Sequence, residues 1–385
     1  MPKMKAAPPV VKAAPVRRAA PAKAPTEREQ RIALAMKRIN TEFGPGTLIK
    51  ASEIADGPIP RITSGSLSLD VILGGGWPAG LWHELWGKES SGKTAVVLKT
   101  IAANQQLDPN WLCLWMAAED FVKDYAVMLG VDLDRLFLFE GNVMEEVYQV
   151  IVEETTAGNF DAIVLDSLPA LVPTREDAAD DIGDVEPGLG ARRTNSFLRR
   201  MGHARGQREI MLGEKRPTTV FIVNQPRQMI GGFSRYGTAE TTPGGMMKNY
   251  ACHTRVELAR VEYLKDGNVP VGQAIKATVR KNKTHPPNKT AQWDFYMDDF
   301  DEHPAGSYDS LKEVVAIGIA MGILGKKGAW YTYEGEQWHG QEKTTEALRG
   351  DPKLQASVAN EVLTAIRTVP AKYNLKSVDG DFEET

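Results

Sequence analysis

The run WHELWGKESSGKT at positions 82–94 does most to limit what this chain can become. Gly87, Lys88, Glu89, Ser90, Ser91, Gly92, Lys93 and Thr94 fit the phosphate-binding pattern G-x-x-x-x-G-K-[ST]. Residues 81–86 read as a buried strand and 95–103 as an apolar helix. A loop between strand and helix aims several backbone N–H groups at one phosphate, aided by the positive helix end. Glycines at 87 and 92 let the backbone turn tightly and approach a ligand closely. On this motif Lys93 is expected to reach the terminal phosphates of a nucleoside triphosphate. The Thr94 hydroxyl is expected to hold Mg²⁺. The other reading, a chance glycine-rich turn, does not explain why strand and helix flank it.

A chain of 385 residues can hold one large domain and one or two small ones. The net charge of −4 does not mark a nucleic-acid binder, but basic residues gather at the start and acidic ones at the end. Cys113 and Cys252 both lie in apolar, strand-like stretches, which favours buried thiols over a disulfide and a reducing compartment. The histidines show no metal-ligand spacing. No apolar run is long enough to span a membrane.

Residues 1–26, rich in Ala, Pro, Lys and Arg, read as a disordered basic arm, either a nucleic-acid contact or a solubilising tail. Thr26 can cap a helix over 27–43 with an apolar face of Ile32, Leu34, Ala35, Ile39 and Phe43. Such a helix needs its own core or a neighbouring subunit to pack on; we group 27–60 as this helix and a linker. From about 61 to 300 strands and helices alternate, the pattern of a largely parallel twisted sheet flanked by helices. Three strands end in polar groups: 112–116 before Glu119, 162–165 before Asp166 and Ser167, and 219–223 before Asn224 and Gln225. Ligands bind outside the carboxyl ends of such strands, so all three can face one nucleotide. Asp166 can be a helix cap or a Mg²⁺ ligand, and the phosphate loop upstream favours the second. Two stretches read as mobile loops, acidic 174–190 and glycine-rich 227–245 with Arg227, Phe233, Arg235 and Tyr236. Basic and aromatic groups on loose backbone suit single-stranded nucleic acid. Residues 301–370 read as a small α/β unit and 371–385 as an acidic tail.

In order along the chain occur TSGSLSLDVILGGG, GKESSGKT, IVLDS, GLGAR, VNQPRQMIGG, TTPGG, VRKNK and GAWYTYEGE. This ordered set resembles the bacterial RecA recombinases and their bacteriophage relatives over about residues 27–368. The resemblance implies an α/β fold: a RecA-like phosphate-loop ATPase core, an N-terminal helix and a small C-terminal α/β domain. It implies a DNA-dependent ATPase that uses ATP and Mg²⁺. Such a protein forms a helical homo-oligomeric filament on single-stranded DNA and exchanges strands with double-stranded DNA. It implies a cytoplasmic protein, in the host cytoplasm for a phage-encoded member. By position, Glu119 resembles the carboxylate that activates water, Asp166 the Mg²⁺ carboxylate and Tyr125 the aromatic that stacks on adenine. Gln225 resembles the γ-phosphate sensor. Lys281 and Lys283 resemble the pair that reaches a neighbour's γ-phosphate. Arg192, Arg199, Arg227, Ile230, Gly231 and Gly232 fall in or beside the DNA-holding regions. The segment between Glu119 and Tyr125 is one residue shorter than the usual bacterial pattern. Pro187 stands where a methionine is usual, and Asn249 replaces an interface phenylalanine. The basic arm fits a divergent, phage-encoded member. Two other readings remain at this point: a filament scaffold with weak ATPase, and a hexameric helicase on the same fold.

Overall fold

The computed structural model describes residues 25–44, 46–53, 59–177, 186, 188–204, 216–234, 237–368 and 377–378. The basic arm up to 24, Pro187, Arg235, Tyr236 and most of the acidic tail lie outside these. The chain divides into two compact units, Met1–Asp56 and Gly57–Thr385. The first holds helix α1, Glu27–Phe43. Thr26 accepts from the Glu29 N–H at 3.3 Å, and the Glu29 carboxylate accepts from the Thr26 N–H at 2.7 Å. This reciprocal box satisfies two N–H groups that a helix start otherwise leaves open. The helix buries none of its residues, and Leu34 is 68% exposed.

In the second unit a ribbon of Arg61–Ile62 (β1) and Trp77–Pro78 (β2) precedes a nine-stranded sheet. Across that sheet stand Ser377–Val378 (β16), Thr290–Tyr296 (β12), Val269–Asn282 (β11), Thr254–Asp266 (β10) and Trp82–Trp86 (β3). They are followed by Thr219–Asn224 (β7), Ala162–Asp166 (β6), Cys113–Ala117 (β4) and Leu136–Glu140 (β5). From β10 to β5 the strands are parallel, and β11 is antiparallel to both its neighbours. The strands β4, β6 and β7 are buried along their whole length, because helices cover both faces. Ala162 and Val164 point into a core with α2 (Leu67–Leu73) and α3 (Lys93–Leu107). Ile163 and Leu165 point the other way, against α5 (Met144–Ala157) and α7 (Leu189–Ala204). Both cysteines are free and buried, and burial pushes the Cys252 thiol up to about 12.

The C-terminal part has a three-stranded antiparallel sheet, Gly325–Lys327 (β13), Trp330–Tyr333 (β14) and Glu336–His339 (β15). Around it lie α9 (Ser310–Met321), α10 (Gln341–Gly350) and α11 (Pro352–Thr368). No gap in packing marks the start of this part, since Val315, Ile317 and Val362 share one core with Leu69 and Ile101. Glu313 of α9 ties the two. Its buried carboxylate accepts from the Ser66 hydroxyl and the Leu67 N–H, both at 2.7 Å, at the start of α2. Burial still pushes this carboxyl up to about 8. Glu313→Ala would strand those donors away from water and is expected to cost about 2–4 kcal/mol. Denaturant unfolding checks this, and a loss below about 0.5 kcal/mol would mean the donors find another partner.

One expectation is corrected. The stretch 227–245 is not loop throughout. Arg227–Ser234 (β8) and Gly237–Thr241 (β9) pair as an antiparallel ribbon, in which residues 229–232 stand opposite the single residue 239. Backbone hydrogen bonds make this ribbon, so its glycine-rich sequence hides it. Within the acidic tail, Ser377–Val378 pairs in parallel with β12 at an otherwise open edge. The acidic loop begins as the short helix Thr174–Asp177 (α6).

Candidate functional site

The phosphate loop joins β3 to α3. A Cβ at Gly87 would sit 2.1 Å from the Leu258 carbonyl oxygen of β10, so only glycine lets these backbones meet. Gly92 caps α3 at φ 87°, in the left-handed region, and offers no side-chain oxygen to the helix start. The first N–H groups of α3 are therefore free of side-chain caps, which suits an anion. Lys93 is 8% exposed, and its Nζ donates to the loop's own Lys88 carbonyl at 2.8 Å. Burial lowers its ammonium, while Asp166, Glu119 and Glu89 pull the other way.

Strand register gathers the carboxylates. Ala117 of β4 lies beside Asp166 of β6, and the N–H groups of Ala118 and Glu119 donate to the Asp166 carbonyl at 3.1 Å. The Thr94 hydroxyl donates to Asp166 Oδ2 at 2.9 Å. Two hard oxygen donors thus sit side by side at the foot of the phosphate loop. Burial pushes the Asp166 carboxyl up to about 6, against the pull of the Thr94 hydroxyl. Glu119 is exposed, with its Oε1 held by the Ser167 hydroxyl. Tyr125, on Lys123–Met128 (α4), lines a cavity of about 340 Å³ with Ser90 to Ala95. Across it stand Arg260, Tyr263 and Gln273 from β10 and β11. Arg260 lies 4.2 Å from the Tyr263 ring centre.

Asn224 ends β7 opposite Trp86 of β3, and its Oδ1 accepts from the Gln225 N–H at 2.9 Å. The β8–β9 ribbon starts two residues later with Arg227, which is exposed. Ile230, Gly231 and Gly232 lie in β8. Arg192 and Arg199 lie on the exposed side of α7, with Thr194, Phe197 and Leu198 buried opposite. Arg192 pairs with Glu186. Lys281 and Lys283 direct their hydrogen bonds away from the phosphate loop. Lys281 donates to the carbonyls of Asn249, Tyr250 and Cys252, and Lys283 to that of Tyr250 at 3.0 Å. Both therefore cap the last turn of Met247–Ala251 (α8).

Sequence reasoning missed several residues here. Arg193 and Arg200 share the exposed side of α7. Arg260, Tyr263 and Gln273 belong to no motif and reach the cavity only through strand register. Glu84 carried a usable signal: it is a charge inside an otherwise buried strand, which demands partners. Those partners, Asn224, Lys248 and Arg255, lie far along the chain.

The family model for the RecA N-terminal domain matches residues 30–300, and that for the RecA C-terminal domain matches 312–367. Protein RecA of Sulfurovum sp. is 35% identical over 345 residues, which is 88% of this chain and 93% of that protein. Protein RecA of Kineococcus radiotolerans is 36% identical over 342 residues, 88% of this chain and 92% of that protein. For Protein RecA of Paenarthrobacter aurescens the values are 33% over 362 residues, 92% and 99%. A mainly parallel sheet that carries a phosphate loop, matched along both family domains, places the chain in the RecA family of DNA-dependent ATPases that act in DNA recombination and repair.

Proposed function

We propose that this chain polymerises as a helical filament on single-stranded DNA and pairs it with duplex DNA, with ATP and Mg²⁺ bound at the phosphate loop. The observation that carries this reading is the convergence, at the carboxyl ends of the adjacent strands β3, β7, β6 and β4, of the phosphate loop, the Thr94–Asp166 pair, Glu119 and the Asn224–Gln225 step into the ribbon. Thr94 and Asp166 are the donors that fit Mg²⁺, which takes few protein ligands when phosphate oxygens complete its shell. Bound Mg²⁺ would neutralise charge on the phosphates. Lys93 exchanges the Lys88 carbonyl for phosphate oxygens. Tyr125 stacks on the base. Glu119, held by Ser167, takes the proton from a water that attacks the γ-phosphorus as the bond to the β-phosphate oxygen breaks.

Gln225 sits between this chemistry and the DNA-facing ribbon, where Arg227 and residues 230–232 meet the strand together with Arg192 and Arg199 of α7. Sequence is then read by base pairing, so backbone contacts suffice. Lys281 and Lys283 are turned from their own phosphate loop and serve a neighbour's γ-phosphate, where positive charge stabilises the transition state. The exposed apolar side of α1 packs on the adjoining subunit. Among the described residues no helix is long and apolar enough to cross a membrane.

The test is ATPase with and without single-stranded DNA, alongside negative-stain imaging. DNA-stimulated turnover with helical filaments is expected. Rings would favour a hexameric motor, and filaments without turnover a scaffold. Lys281→Ala and Lys283→Ala are expected to lose the DNA-stimulated turnover while the isolated subunit keeps its nucleotide affinity. Loss of affinity at low protein concentration would assign these lysines to their own subunit's site or to the fold.

A further inference from the structure

Glu84 lies three residues before the phosphate loop begins at Gly87 and is fully buried. Its two carboxylate oxygens serve different masters. Oε1 accepts from the Asn224 amide at 2.8 Å and pairs with Lys248 Nζ at 3.0 Å. Oε2 pairs with Arg255 Nε. Each of these partners reaches further. The Asn224 amide also donates to the Pro243 carbonyl at 3.1 Å, and its oxygen holds the Gln225 N–H. Lys248 and Arg255 both donate to the Thr242 hydroxyl, Arg255 at 3.4 Å. Asn224 and Thr242 are the two roots of the β8–β9 ribbon. Lys248 belongs to α8, whose final carbonyls hold Lys281 and Lys283.

One buried carboxylate on the phosphate-loop strand thus grips both roots of the DNA-facing ribbon and the short helix that carries the cross-subunit lysines. Two cations share that one carboxylate. Burial weakens the Lys248 ammonium, and Glu84 is the main group that restores it. A carboxylate serving a buried ammonium and a half-buried guanidinium cannot move without both following, because each would lose its counter-charge. Discrete rearrangement of such a network is the physical route by which two sites bias one another.

We propose that Glu84 is the positioning residue that couples nucleotide state to DNA binding, through its joint hold on Asn224, Lys248 and Arg255. The proposal rests on the filament reading above and extends it from Gln225 to the buried group behind it. Its signature is the mutual enhancement of ATP and single-stranded DNA binding, which linkage makes equal in both directions.

The measurement is affinity for an oligonucleotide with and without a non-hydrolysable ATP analogue, and for the analogue with and without the oligonucleotide. Glu84→Gln keeps the size and the acceptor oxygen but removes the charge. The variant is expected to bind the analogue alone within about threefold of wild type while its mutual enhancement falls by about tenfold, within the usual range of coupling factors. Thr242→Val removes only the hydroxyl shared by Lys248 and Arg255. It is expected to lose enhancement in the same direction and decides the matter if Glu84→Gln does not fold. Wild-type enhancement in a folded Glu84→Gln, or in Thr242→Val when the first variant is unfolded, overturns the proposal. Equal loss of analogue affinity and enhancement overturns it too, by making Glu84 a support of the nucleotide site alone. Absence of enhancement in the wild type would instead refute the filament reading on which it stands.

Discussion

Lys93→Ala is expected to abolish ATP turnover, with a fall of about 10²–10³ or more, the scale for losing a preorganised group at a phosphate. Lys93 is nearly buried between the loop and two carboxylates, Asp166 and Glu119. Without its ammonium those carboxylates face incoming phosphates with no cation of the chain between them. The fold should survive, because alanine is a good helix former at the start of α3, and the Lys88 carbonyl stays open to water. The measurement is ATPase together with equilibrium nucleotide binding, with thermal unfolding as the control. Turnover within about threefold of wild type in a folded variant would sink the assignment of the phosphate loop as the catalytic site.

Glu119→Gln should separate binding from chemistry. The amide can still accept the Ser167 hydroxyl, so the side chain keeps its place. It cannot take a proton from water. Nucleotide binding and filament formation are expected to persist while hydrolysis slows by about 10² or more, the usual scale for a lost general base. Single-turnover hydrolysis at saturating ATP reads this directly. Normal turnover would show that another group activates the water, and Asp166 would then need the same test.

The core was legible because its physics is local. Strands β4, β6 and β7 are covered on both faces, so their sequences are largely apolar runs; β6 and β7 end on Asp166 and Asn224, and Glu119 follows β4 by two residues. Helix α1 was legible from Thr26 and the apolar spacing after it, since a capping residue declares a helix start through bonds three residues away. The buried cluster at Glu84 was not. Its bonds to Asn224 and Arg255 span 140 and 171 residues, and nothing near Glu84 hints at which distant residues answer it. The same holds for Arg260 and Tyr263, which face Tyr125 because a long two-stranded arm folds over the phosphate loop. The β8–β9 ribbon escaped for the opposite reason: its pairing is a property of backbone, and its composition resembles that of a loop.

Because β3 lies directly beside β7, with Trp86 opposite Asn224, an event at the phosphate loop crosses one interstrand gap, about 4.8 Å, to reach the root of the ribbon. Side-chain exchange over such a span takes picoseconds to nanoseconds and loop adjustment up to microseconds. A typical enzyme turns over on the order of ten times per second. On the proposed coupling, local adjustment along this path outpaces turnover, so a delay in an assembly would accumulate between subunits.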